Sequence, residues 1–112
     1  MDKNSISKGD IVLIILDYKK NMEGEKLKEE MAGFYRRVLS YNPKNLEMEE
    51  MLAEYSYLGF ITKTQKECQN KTKTYYGLTK SGKKVALNRI MQLARNDKTY
   101  GQLENITYAL GN

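Results

Sequence analysis

Hydrophobic residues recur at helical spacing along most of this chain, which predicts a mainly helical protein. Ser7 and Asp10 have the spacing of a capping box, so the first helix is expected to begin there and to run to about Lys20. Longer helices are predicted over about 25–40, 43–58 and 80–95. A short helix is expected after 96–101, with an apolar stripe formed by Leu103, Ile106 and Leu110.

A β-hairpin is predicted between the third and fourth of these helices. Gly59 can end the third helix in a left-handed conformation, and 60–62 has the composition of a strand. The hairpin tip is expected between Lys66 and Thr72, and the returning strand over 73–78. Residues 21–24, between the first two helices, are expected to form a turn.

The third helix is expected to start at Asn42-Pro43, because Asn is a favoured N-cap and Pro suits the first helical position. Its predicted core face consists of apolar residues at helical spacing, namely Met48, Met51, Leu52, Tyr55 and Leu58. Its outer side is acidic and carries Glu47, Glu49, Glu50, Glu54, Ser56 and Tyr57.

The first helix is apolar on almost every side, because it contains the uninterrupted run Ile11 to Leu16. A helix of this kind must be covered from more than one direction. The fourth helix and the C-terminal stripe add further apolar surface. We therefore expect a two-fold homodimer built from the first helix and the C-terminal segment.

The segment 75–82, Tyr-Tyr-Gly-Leu-Thr-Lys-Ser-Gly, joins an aromatic strand to a capped, basic helix. With Leu58-Gly59-Phe60-Ile61 about fifteen residues earlier, it resembles the second wing strand and following helix of winged helix-turn-helix regulators, especially the PadR-like group. The resemblance covers roughly 6–95. One departure lies at 22–27, where the PadR-like group usually has a Tyr-Gly pair.

This resemblance implies an α+β, mainly helical fold, a winged helix-turn-helix with a two-stranded wing and an additional C-terminal helix. The length of 112 residues indicates a single domain, 1–112, in which we expect the helix-turn-helix and wing in 6–79 and dimerisation helices in 80–112. The implied function is sequence-specific binding of double-stranded DNA as a homodimer in transcription regulation. A small-molecule effector would fit a pore near the subunit interface, with Tyr18, Tyr100 and Tyr108 as candidate liners; the alternative places these tyrosines at the core edge.

Composition argues against an enzyme, a cofactor and a metal site. The chain has no histidine, its glycines lack phosphate-loop spacing, and Cys68 has no second cysteine to pair with. The longest apolar run, Ile11 to Leu16, is too short to span a bilayer, and the N-terminus lacks a secretory pattern. A cytoplasmic protein without a membrane partner is therefore expected.

Positive charge is concentrated in 62–95, which holds nine Lys or Arg residues against Glu67 alone, a net charge of +8. Residues 1–61 hold nine Lys or Arg against eleven Asp or Glu, a net charge of −2. The candidate DNA contacts are Arg36, Arg37, Asn42, Lys44, Asn45, Lys63, Lys66, Lys71 and Lys73. Arg36 and Arg37 would equally serve the C-terminal dipole of their helix, and the residues at 42–45 would equally solvate a helix start.

The four glutamates of the third helix oppose its entry into the major groove, where a winged helix usually places this element. Three interpretations follow: only the start of the helix approaches the bases, the wing dominates binding, or the domain binds a protein instead. The alternative functions are therefore a protein-interaction module that uses the acidic third helix, or an accessory or partition DNA-binding protein of a plasmid or virus.

Overall fold

Five helices and three strands make up most of residues 5–111, the part of the chain that the computed structural model describes. In chain order they are α1 (Lys8–Lys19), β1 (Asn21–Glu23), α2 (Gly24–Leu39), α3 (Asn45–Tyr57), β2 (Ile61–Cys68), β3 (Lys71–Leu78), α4 (Lys80–Ala94) and α5 (Asp97–Gly111). The strands form an antiparallel sheet in the order β1-β3-β2. The fold is thus α+β and mainly helical, as predicted.

Local capping accounts for the helix boundaries that the sequence predicted well. The Ser7 hydroxyl accepts the Asp10 N–H at 3.1 Å, and the Asp10 carboxylate accepts the Ser7 N–H at 2.9 Å. At α4 the Thr79 hydroxyl accepts the Gly82 N–H at 2.9 Å. Gly59 follows the end of α3 with a φ of +79°. These interactions join residues close in sequence, so the sequence alone is enough to predict them.

Two predictions around the second and third helices are wrong. Residues 21–23 form strand β1 rather than a turn, because they pair with β3. A strand this short cannot show the alternation of apolar and polar residues that predicts a strand, and its hydrogen bonds are made with the partner strand. Helix α3 begins at Asn45 instead of Pro43, and the Glu47 carboxylate, rather than Asn42, serves its start by accepting the Lys44 N–H at 3.4 Å.

The hairpin turn lies inside the predicted tip, but both strands are longer than expected, and β1 makes the sheet three-stranded. Gln69 and Asn70 have φ values of +50° and +67°, which suits the twist of a two-residue hairpin. From this turn β2 and β3 pair continuously down to Ile61 and Leu78. The outer half of the hairpin is exposed on both faces, so it lacks the apolar alternation that marks a strand in a sequence.

The core is built around α1, which packs against α2, α4, α5 and the sheet. Every residue from Ile11 to Leu16 is buried within the single chain. Tyr35 of α2 reinforces this packing by donating its hydroxyl to the Lys8 carbonyl at 3.0 Å, and burial raises the pKa of this phenol. Since its own chain already covers α1, pairing of α1 between subunits loses its physical basis.

Helix α5 also belongs to this core. It starts at Asp97, earlier than the sequence suggested, and Leu103, Ile106 and Leu110 are buried. Thr99 helps to fix its start by donating a hydrogen bond to the Leu93 carbonyl. Truncation after Arg95 would therefore remove core side chains, and it would not isolate a dimerisation element.

Candidate nucleic-acid interface

Antiparallel pairing sorts the hairpin lysines onto two faces. Lys66 lies opposite Lys73, and Lys71 lies opposite Cys68. Residues opposite each other project to the same side, and the side alternates along each strand. Lys66, Lys71 and Lys73 therefore share one face with Tyr75, and we call these four residues the basic face.

The fourth hairpin lysine, Lys63, projects from the other side. It lines a cleft with Lys28 and Glu49, between the hairpin, the start of α2 and the middle of α3. Glu67 lies on the same side as Lys63, because the two are an even number of positions apart along β2. Lys63 thus projects from the opposite side of the hairpin to the other three lysines and has carboxylates nearby, and Lys73 also borders this cleft.

The basic face has the electrostatics of an anion-binding surface. Two ammonium groups directly across a strand pair repel each other, and an anion bound between Lys66 and Lys73 would relieve this repulsion. Lys66 also lies over the Tyr75 ring, 5.2 Å from its centroid. The neighbouring Glu23 carboxylate accepts the N–H groups of two residues at the start of α2.

The inner end of this face is less favourable to a polyanion than the outer end. Beside Lys73 and Tyr75 lies a cleft between β1 and α2 in which three carboxylates offset three lysines. Lys71 lies next to the exposed hairpin turn, and the Lys66–Lys73 pair lies only two positions further in. An anion is therefore expected to contact the tip half of the hairpin.

The remaining predicted contacts lie at the end of α2 and the start of α3, and all of them are exposed. Arg37 lies 4.7 Å from the centroid of the Phe34 ring and donates to a carbonyl of its own helix at 3.4 Å. Arg36 lies beside it in the last turn of α2, where a cation also suits the helix dipole. A second exposed group, apart from the hairpin, consists of Asn42, Lys44 and Asn45.

Two of the four α3 glutamates are neutralised by lysines from other helices. Glu47 accepts hydrogen bonds from Lys8 at 2.7 Å and from the Tyr41 hydroxyl at 2.7 Å. Glu49 forms an ion pair with Lys28 at 2.6 Å. The predicted acidic face is therefore reduced to Glu50 and Glu54, for which residues 5–111 supply no ion-pair partner.

The structure also corrects the predicted core face of α3. Met48 and Leu52 are buried, and Met51 and Tyr55 are partly buried. Leu58, which follows the last turn, is 49% exposed. Helix α3 ends at Tyr57 and the chain turns at Gly59 toward β2, so helical spacing no longer directs the Leu58 side chain into the core.

Lys8, Tyr41 and Glu47 form a small cluster that ties the start of α3 to α1. The Lys8 ammonium lies 3.6 Å from the centroid of the Tyr41 ring. The hydrogen bond from Lys8, followed by that from Tyr41, lowers the pKa of the Glu47 carboxyl below its ordinary value of 4.5. The cluster therefore stabilises the folded chain only while this carboxyl is ionised.

We expect Glu47→Gln to make the free energy of unfolding depend less on pH in the acidic range. The pKa of Glu47 is lower in the folded chain than in the unfolded chain. Its contribution to the free energy of unfolding is therefore complete above the ordinary pKa of 4.5 and disappears as pH falls through the folded-state pKa. The variant should be less stable than the wild type at neutral pH, and this difference should shrink on acidification. Urea denaturation across about pH 2 to 7 measures both, with Glu50→Gln as control. Parallel curves for Glu47→Gln and the wild type would contradict the assignment.

Sequence reasoning missed Tyr75 as part of the basic face. The missing information was the register of the hairpin, which depends on the two-residue turn at Gln69-Asn70. Lys73 and Tyr75 are two positions apart within the predicted strand 73–78, so the sequence carried a signal for their shared face, whereas Lys66 and Lys71 join this face only through the register.

Three further sequence predictions concern sites away from the hairpin. The candidate effector-binding tyrosines Tyr18, Tyr100 and Tyr108 are all exposed in the single chain. No helix within 5–111 combines the length and apolar character needed to cross a bilayer. The same part of the chain contains no cluster of acidic or cysteine side chains suited to a metal ion.

Comparison with known proteins adds evidence on the fold alone. No protein-family model matches the chain, and no curated protein matches it significantly. The crystal structure of smu.1704 from Streptococcus mutans UA159 is similar, with a TM-score of 0.62 and 20% identity. The similarity covers 81% of this chain and 82% of that one. At this identity the likeness indicates a shared fold.

Proposed function

We propose that this chain is a winged-helix protein that binds double-stranded DNA through the basic face of its hairpin, in the cytoplasm and as a homodimer. The observation that carries the proposal is the placement of Lys66, Lys71 and Lys73 on one exposed face. The element order α1-β1-α2-α3-β2-β3 and the sheet order β1-β3-β2 support the winged-helix assignment. Regulation of transcription is the function that this combination fits best.

In this proposal the hairpin, as the wing of the fold, contributes most of the affinity. Its three lysines bind phosphate oxygens, and Tyr75 positions Lys66. The further candidates for contact with the DNA backbone are Arg36 and the exposed group of Asn42, Lys44 and Asn45. The middle of α3 stays outside the major groove, because Glu50 and Glu54 would repel the phosphates on either side.

A salt series tests the proposal directly. Binding of the full-length protein to a mixed-sequence duplex should weaken steeply as salt rises, with a slope of log K against log salt on the order of −2.7 per subunit for three phosphate contacts. Competition with unlabelled duplex should displace the bound probe. Absence of binding at about 50 mM salt, or binding that does not respond to salt, would reject the proposal.

A second candidate function is a protein-interaction module that uses α3. The observation in its favour is the exposed surface of this helix, where Tyr57 is 90% exposed and Leu46 is 69% exposed beside Glu50 and Glu54. Large apolar side chains grouped with like charges on one helix face are typical of a docking surface. Reversal of the hairpin charges separates the two functions, because it would abolish DNA binding and leave contacts through α3 intact.

A further inference from the structure

Helix α3 presents an acidic and apolar stripe to solvent. Its exposed residues Leu46, Glu50, Ala53, Glu54 and Tyr57 lie at intervals of three or four along the helix or next to one another, and we call them the α3 outer face. Lysines from the rest of the chain pair with Glu47 and Glu49 elsewhere on this helix. The outer face therefore keeps two negative charges and an exposed aromatic ring.

Helix α4 presents a stripe of the opposite charge. Lys80, Lys84, Leu87, Met91 and Arg95 are exposed at similar intervals along this helix and at its C-cap, and we call them the α4 outer face. Leu87 is 51% exposed and Met91 is 55% exposed. The five residues include three cations and no anion, and within 5–111 none of the three forms a salt bridge.

The two outer faces belong to elements that meet inside one chain. The Thr79 hydroxyl at the start of α4 donates to the Gly59 carbonyl after the end of α3, with an oxygen-to-oxygen distance of 2.6 Å. Gly82 lies so close to Phe60 that a Cβ at this position would overlap the Phe60 carbonyl oxygen. The end of α3 and the start of α4 are therefore neighbours. Two patches of opposite charge on one chain allow a closed two-fold contact in which each patch meets the other patch of the partner.

We infer that the α3 outer face of one copy of this chain packs on the α4 outer face of a second copy. Pairing of two α4 faces would bring six cations together, and pairing of two α3 faces would bring four carboxylates together. Pairing of an α3 outer face with an α4 outer face places Glu50 and Glu54 against Lys80 and Lys84. The same pairing covers Tyr57 with the apolar side chains of Leu87 and Met91. The inference specifies the interface of the proposed homodimer, and it does not rest on DNA binding.

Two charge-reversed variants test the interface in the absence of DNA. The first is Glu50→Lys with Glu54→Lys, and the second is Lys80→Glu with Lys84→Glu. Sedimentation should show a wild-type dimer at micromolar concentration. Each variant alone should self-associate at least about tenfold more weakly than the wild type, because both copies of the contact become repulsive.

Matched controls make the same changes of charge on other elements. Glu29→Lys with Glu104→Lys is the control for the first variant, and Lys26→Glu with Lys98→Glu is the control for the second. All four residues are exposed and lie outside α3 and α4. The dimer should persist in both controls, and circular dichroism should show that every variant is folded.

Mixing the two charge-reversed variants is the decisive measurement. A mixed pair restores both contacts, since the reversed α3 face meets the reversed α4 face while the two unchanged faces meet each other. An equimolar mixture should therefore dimerise like the wild type. A monomeric wild type, a dimer that survives both reversals, or a mixture that stays monomeric would each overturn the inference. If α3 binds a different protein instead of a second copy of this chain, mixing the two variants cannot restore that contact. One of these three outcomes would then be observed.

Discussion

Lys71→Glu with Lys73→Glu is expected to reduce affinity for duplex DNA roughly 100-fold at low salt, on the order of tenfold for each reversed charge. Both residues lie on the basic face, so reversal removes two phosphate contacts and places two carboxylates against the DNA backbone. The slope of log K against log salt should also become shallower by about 2. Fluorescence anisotropy with a labelled duplex at several salt concentrations measures both quantities.

A control of equal net charge separates the basic face from the overall charge of the protein. Lys63→Glu with Lys98→Glu makes the same change in charge, but Lys63 lies on the opposite side of the hairpin and Lys98 lies in α5. This variant should lose much less affinity and keep most of its salt slope. Equal losses in the two double variants would mean that the net charge of the chain drives binding, and the proposed interface would be wrong.

Gly82→Ala is expected to destabilise the folded chain by about 3 kcal/mol, a large effect for the addition of one methyl group. A Cβ at Gly82 would overlap the Phe60 carbonyl oxygen and would lie 2.8 Å from the carbonyl carbon. These are backbone atoms at the start of the hairpin, so no rotation of a side chain can relieve the overlap. The midpoint of urea denaturation should fall while the m-value stays unchanged.

Gly101→Ala is the matched control, because it makes the same substitution inside another helix. A Cβ at Gly101 meets no heavy atom within 4 Å among the described residues. Removal of the conformational freedom of glycine should stabilise α5 by about 0.5–1 kcal/mol. A similar loss of stability at both positions would contradict the close packing of α4 on Phe60.

Local sequence was enough to specify the features that depend on neighbours within one or two helical turns. The Ser7 and Asp10 capping box, the Thr79 cap and the left-handed Gly59 are local, and their residue types follow from backbone groups that need partners at helix ends. Helical spacing identified the buried face of α5 for the same reason. The clustering of positive charge over 62–95 is also a property of composition alone.

Which of these charges act together depends on contacts between distant parts of the chain. The side on which Lys63 or Lys66 projects depends on the hairpin register, and a shift of one residue would exchange the two faces. The partners of Glu47 and Glu49 are lysines 39 and 21 residues away, so no local pattern could pair them. Strand β1 likewise exists because β3 supplies its hydrogen bonds. Contacts of this kind form only when the whole chain is packed, and they separate the basic face of the hairpin from the acidic outer face of α3.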